Sequence, residues 1–302
     1  MRKKIKMSYW LVFLLVQVFA CEYTVAQNTV QVAIRTVNKE IPYEAGDSLL
    51  LKAEKANVTI TGWDKDYIKL VLKLISKHPK LEVARAELEY LNFDITKSGR
   101  THKITNYFKS SEGFKKVKGT LLSVYELKVP KSLMIEMQNR YGQSKVKGMQ
   151  VPLKIDTRFV EIQIKDCVVQ QDVTAYFGNV TMLNNAGKAI VDLQKADLDV
   201  TGYDGSVSIN SSYGEVKIQS QQLTGLDMQG NKTAVEFTVD NLERYHYDFQ
   251  AEYDRVITPM GTMRGEDDSR FLPDKKGNKP VIKIHTTYRT IELNQQYNAA
   301  NK

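Results

Sequence analysis

Five stretches of the chain carry one pattern: IEMQNRYGQSKV (135–146), LKIDTRFVEIQI (153–164), QDVTAYFGNVTM (171–182), AIVDLQKADLDV (189–200) and VSINSSYGEVKI (207–218). They align on Tyr141, Phe159, Phe177, Lys195 and Tyr213, which stand at one constant interval. Mostly apolar or small residues stand six, four and two places before each anchor, then three and five places after it. Steps of two mean strand, because successive side chains point to opposite faces. The step of three marks a corner, after which the inward face is re-established. A unit this short cannot bury its own apolar face and has to stack on its neighbours. The expected fold is therefore all-β, a right-handed parallel β-solenoid (β-helix). Its coils are about 18 residues long and lie about 4.8 Å apart.

The same register fits anchors at Lys55, Lys232, Tyr253 and Tyr288, so the repeat reaches well beyond its clearest part. The residue after the anchor is Gly142, Gly178 or Gly214 in three units. That slot is the expected site of positive φ at the corner, with Val160 and Ala196 as exceptions.

Residues 1–26 have the form of a signal peptide: Arg2, Lys3, Lys4 and Lys6, an apolar run from Trp10 to Ala20, then Thr24-Val25-Ala26. The run is about half of the ~20 residues a membrane span needs. Val18-Phe19-Ala20-Cys21 also resembles a lipoprotein box, so Cys21 is a candidate for lipidation. A membrane contact is expected only in that case. Residues 27–46 read as a lead-in and 47–130 as an N-terminal β part. Within the latter, 81–91 holds the one helix candidate, with Ala84, Leu88 and Leu91 on one side. Residues 131–294 hold the solenoid repeats. They are interrupted at 259–280 by a Pro- and Gly-rich insertion loop around Glu266-Asp267-Asp268, and 295–302 form a polar tail.

The mature chain keeps one cysteine, Cys167, which reads as a structural thiol, and so is expected to have no internal disulfide. Loss of the signal takes the formal charge from +8 to about +5. Basic residues are not gathered on one face with aromatics between them, so nucleic acid is not an expected partner.

The strand opening Val129-Pro130-Lys131 leads into Asn139-x-Tyr141-Gly142, Thr157-x-Phe159 and Ser211-x-Tyr213-Gly214-Glu215-Val216. Together with Val58-Thr59-Ile60-Thr61-Gly62-Trp63-Asp64, these resemble the putative-adhesin, β-strand-repeat domains of unknown function found in exported Bacteroidetes proteins. The resemblance covers roughly residues 47–294. It implies an exported β-solenoid and brings no catalytic residues.

The aromatic anchors Tyr141, Phe159, Phe177, Tyr213, Tyr253 and Tyr288 permit two readings: an exposed ladder that stacks on sugars, or rings turned inward at the corner. Their parity with the inward slots favours the second. Lys195 and Lys232 depart from the aromatic anchor, so stacking should be imperfect at those coils. Asp156, Asp172 and Asp192, with Asp197 and Asp199 on the following strand, invite comparison with calcium-dependent polysaccharide lyases, but no calcium-loop spacing is present. His78, His102, His246 and His285 are scattered. There is no phosphate loop and no nucleophile elbow. Arg140 and Arg158 share an outward slot and suit an anionic glycan. The reading that results is an exported, non-enzymatic scaffold or adhesin at the bacterial cell envelope (periplasm, outer membrane or cell surface). It needs no metal or cofactor, and its partner is a protein or a glycan. The second reading is a glycan-binding or lyase-like solenoid.

Overall fold

The computed structural model describes residues 29–109, 116–273 and 277–296. Residues 1–28 lie outside it, so the signal segment and Cys21 do too. The strands are β1 (Gln31–Pro42), β2 (Ser48–Trp63), β3 (Tyr67–His78), β4 (Leu91–Ser98), β5 (Thr101–Phe108), β6 (Thr120–Pro130) and β7 (Met134–Lys147). They continue as β8 (Leu153–Lys165), β9 (Gln171–Leu183), β10 (Ala186–Thr201), β11 (Asp204–Gln219) and β12 (Gln222–Val239). Then come β13 (His246–Glu252), β14 (Val256–Thr258), β15 (Gly261–Met263), β16 (Asp268–Phe271), β17 (Val281–Thr287) and β18 (Ile291–Gln295). Among the described residues there is one α-helix, α1 (Leu81–Leu88), which packs on β1 and β3.

The architecture is a mixed, mostly parallel, solenoid-like stack. From β7 to β11 the neighbours of Ile135 are Leu153, Gln171, Ala189 and Val207 in turn. Each long strand bends once, at its anchor. The half before the bend builds one wall of the stack and the half after it builds the other. Between the walls lie the columns that the period-two pattern picks out. Met137, Ile155, Val173, Val191, Ile209 and Met228 are buried in one, and Ile162, Val180, Leu198, Val216 and Val235 in another. A full column of aliphatic side chains at this depth contributes about 1.5–3 kcal/mol per residue in transfer free energy.

The column two places before the bend is partly polar, and its side chains take up backbone groups that the corner leaves without a ladder partner. Asn139 Nδ2 donates to the Ala56 carbonyl (3.0 Å), and Thr286 Oγ1 donates to the Thr233 carbonyl (2.7 Å). Groups left unpaired at such depth would each cost about 1–3 kcal/mol.

Spatial order departs from chain order at both ends. β2 pairs on one side with β7 and on the other with β5 and β6, so the N-terminal part joins the same stack. β6, β3 and β1 extend the second wall in antiparallel pairing. At the far end β17 and β18 lie between β12 and the β13–β14 unit. The last anchor in the chain, Tyr288, thus sits beside Lys232, with Tyr253 beyond it. The 259–280 segment is not simply a loop: β15 and β16 pair antiparallel with β14 and β13. They cover strand edges that would otherwise stand open.

The corner corrects the glycine expectation in part. Gly142 does take a positive φ, 141°, but Gly178 and Gly214 do not, and the residue that is left-handed in every unit is the anchor itself, with φ of 63° at Tyr141, 58° at Phe159, 55° at Phe177, 52° at Lys195 and 59° at Tyr213. Gly178 serves a different need. A Cβ there would stand 2.1 Å from the carbonyl oxygen of Val160 on the neighbouring strand. The return corner has its own left-handed column: Gly148, Asp166, Asn184 and Gly202. These are the residue types that tolerate that region best.

Candidate interaction surface

The anchors form a ladder along the outside of the stack, not inside it. Their exposure runs from 39% at Phe177 to 56% at Tyr253, which overturns the inward reading. Parity counting assumes that every residue is extended. A residue in the left-handed region breaks that assumption and swings its side chain out of the corner. Tyr141 and Phe159 stack at 5.1 Å between centroids, Phe159 and Phe177 at 4.8 Å, and Tyr253 and Tyr288 at 4.8 Å.

Ring stacking is imperfect at the lysine coils, as expected: among the described residues Tyr213 stacks on no other ring, and the lysines fill the gaps with cation–π contacts. Lys195 Nζ lies 5.2 Å from the Phe177 ring centre, and Lys232 Nζ lies 5.2 Å from that of Tyr213 and 5.7 Å from that of Tyr288. Lys55 Nζ stands over Phe108 at 5.2 Å. Phe108 was not legible as a member, because its unit lacks the repeat's spacing. The ladder bears on the sugar-stacking reading. A sugar needs the face of a ring; both faces are taken at Phe159, by Tyr141 and Phe177, at Phe177, by Phe159 and Lys195, and at Tyr288, by Tyr253 and Lys232, whereas Tyr141, Tyr213 and Tyr253 each have one such neighbour.

The outward columns of the first wall are polar. Gln138, Asp156, Thr174, Asp192, Asn210 and Gln229 follow one another in register, and beside them run Arg140, Arg158, Tyr176, Gln194, Ser212 and Asn231. Asp156 and Asp192 are separated by the Thr174 strand, and Asp172 lies in another column beside Lys154. Asp197 accepts the Glu215 backbone N–H at 2.8 Å, and Asp199 accepts the Thr201 hydroxyl at 3.2 Å. The acids are thus spread over the surface rather than gathered at one point. Among the described residues no group of three or more His, Cys, Asp or Glu side chains is placed to hold a metal ion. Arg158 lies over the Tyr176 ring at 5.4 Å, so the Arg140–Arg158 pair does not stand free as a twin anion site.

Cys167 is buried, and burial pushes its thiol pKa up, which suits an inert structural residue. The histidines are dispersed, as expected. His285 pairs with Glu252 (3.0 Å), and His246 meets the Gly277 carbonyl (2.9 Å). His102 is buried against Asp47 (2.9 Å), which also takes Lys97 (3.0 Å). The hydrogen bond from His102, then that from Lys97, holds the Asp47 carboxyl at about 2, below its usual range. Asp47 and His102 are 55 residues apart in sequence and carry no motif, so nothing in the sequence joined them. Among the described residues no helix is long and apolar enough to cross a membrane.

The fold and this surface define an all-β, solenoid-like protein with a polar flat wall and a stacked corner ladder. Several solved structures resemble it over most of the chain at low identity, mostly named putative adhesins and mostly from Bacteroides and Parabacteroides. A putative adhesin from Bacteroides fragilis is 9% identical, with 86% of this chain and 97% of that chain covered and a TM-score of 0.47. A putative adhesin from Parabacteroides distasonis is 10% identical, with coverage of 86% and 97% and a TM-score of 0.41. A protein from the same species named a putative lipid binding protein is 15% identical, with coverage of 88% and 97% and a TM-score of 0.40. None of these names describes an enzyme. No family model and no curated protein matches the sequence.

Proposed function

We infer that this is an exported, non-enzymatic interaction protein of the bacterial cell envelope, built as a right-handed β-solenoid with one short coil per anchor. The observation that carries the reading is the first wall. Its outward columns run in register from β7 to β12, past one bulge at Gly205–Ser206 near the start of β11, and present mostly polar side chains on a long face. Repeat architectures offer binding area of this kind. The signal-like segment at 1–26 supports export, and Cys21, if acylated, tethers the protein to a membrane. The dispersed acids support a binding role over a lyase-like one.

The test uses protein exported by the native host. Mass spectrometry of its N-terminus distinguishes acylated Cys21 from a free Gln27. Labelled protein is then applied to intact cells and isolated envelopes. Saturable retention that is lost on heat unfolding is expected. A cytosolic product that still carries the segment 1–26, or no saturable retention on any envelope, sinks the reading.

A further inference from the structure

The first wall carries a shallow, open groove of about 430 Å³ over β9 to β12. Tyr176 stands at one end. Asp192, Asn210 and Gln229 follow in one outward column, with Gln194 and Ser212 in the next. No lysine or arginine lines it.

Tyr176 stands on the wall, one place before the anchor Phe177. The preceding strand places Arg158 over one side of its ring at 5.4 Å, and the following strand places Gln194, not a second ring, beside it. The face toward the groove is therefore not covered by another aromatic. Along the groove, hydrogen-bonding capacity remains. Asp192 accepts from Asn210 Nδ2 through one oxygen (2.8 Å), which leaves its second oxygen and the Asn210 carbonyl. Gln229 donates Nε2 to Asp227 (3.4 Å) and keeps Oε1. Gln194 and Ser212 have no side-chain partner among the described residues.

We propose that this groove binds a neutral oligosaccharide laid along the stack axis. One pyranose ring packs its C–H face on Tyr176, and the next rings direct hydroxyls to Asp192, Gln194, Asn210, Ser212 and Gln229. An aromatic platform followed by groups that both donate and accept is the chemistry vicinal hydroxyls require. The spacing of successive strands, about 4.8 Å, is close to the length of one pyranose unit, so each sugar meets a fresh pair of side chains. The Asp192 carboxylate without a facing cation disfavours anionic glycans. A peptide adding itself as a strand would need an open sheet edge, and β9 to β11 are paired on both sides. The proposal rests on the interaction reading above and gives it a ligand class and a place.

The experiment is binding of the purified exported protein to an array of immobilised neutral, uronic-acid-containing and sulfated oligosaccharides. Retention on neutral oligosaccharides of several units is expected. Tyr176→Ala should reduce it at least tenfold, Asp192→Ala should weaken it, and Tyr176→Phe should keep it, since the ring platform remains. Circular dichroism of the three variants separates lost binding from lost fold. Retention unchanged by Tyr176→Ala, retention only on anionic glycans, or no retention on any neutral oligosaccharide overturns the proposal. If envelope binding persists in that last case, the interaction reading stands and only the groove assignment falls.

Discussion

Substituting Phe159 by alanine and, separately, by glycine tests the corner geometry directly. Phe159 sits at φ 58° and stacks on Tyr141 and Phe177 at 5.1 and 4.8 Å. Either substitution removes both stacks, at about 0.5–1.5 kcal/mol each, so about 1–3 kcal/mol is lost in both variants. The two differ in the backbone. Alanine retains the left-handed penalty, about 1–2 kcal/mol for a residue with a Cβ, and glycine is released from it. In an ordinary strand position glycine is the worse residue by roughly 0.5–1 kcal/mol. The expected order at this site is therefore inverted: Phe159→Gly is more stable than Phe159→Ala by about 1 kcal/mol. Denaturant midpoints compared at equal m values read this difference. Thermal melting reads it as a shift of about 2–4 °C for a domain of roughly this size. If the alanine variant equals or exceeds the glycine variant, position 159 is not held in the left-handed region and the account of the corner is wrong.

Three further outcomes are expected. Asn185 accepts the Cys167 backbone N–H and donates to the Ile164 carbonyl, both at 2.9 Å, at a buried site. Asn185→Leu should strand both groups and lower the unfolding free energy by about 2–4 kcal/mol, while an undisturbed denaturant midpoint would show that water or side-chain movement replaces the bridge. Gly178→Ala brings a Cβ against the Val160 carbonyl, so a loss of about 1–3 kcal/mol is expected in the same assay; a neutral result would mean the strands part without cost. Asp47, held at about 2 by His102 and Lys97, titrates lower in the folded protein than in the unfolded chain. Its stabilising contribution is present above about pH 4 and disappears as pH falls toward 2. Asp47→Asn should flatten stability across that window, and a variant whose stability falls as steeply as the parent's would assign the acid sensitivity elsewhere.

The core columns were readable from the residues alone. A period of two that restarts with every anchor is a local signal, and every slot from Ile135 to Ile218 with a strong apolar residue is buried. α1 and the polar outward face were readable for the same reason, since burial follows from period and polarity, but the helix is shorter than the expected 81–91: it ends at Leu88, and Leu91 is buried as the first residue of β4. The anchors were not. Whether Tyr141 or Phe159 faces in or out depends on one dihedral at the bend, and aromatic residues give no hint that they occupy a region usually left to glycine or asparagine. The ends were not readable either. Only the pairing of strand edges decided that β17 and β18 enter between β12 and β13, and that Phe108 comes to lie under Lys55. The groove shares that origin: Tyr176, Gln194, Ser212 and Asn231 are ordinary polar positions along the chain. They become one surface because backbone hydrogen bonds stack their strands in register, a long-range outcome that no short window of sequence contains.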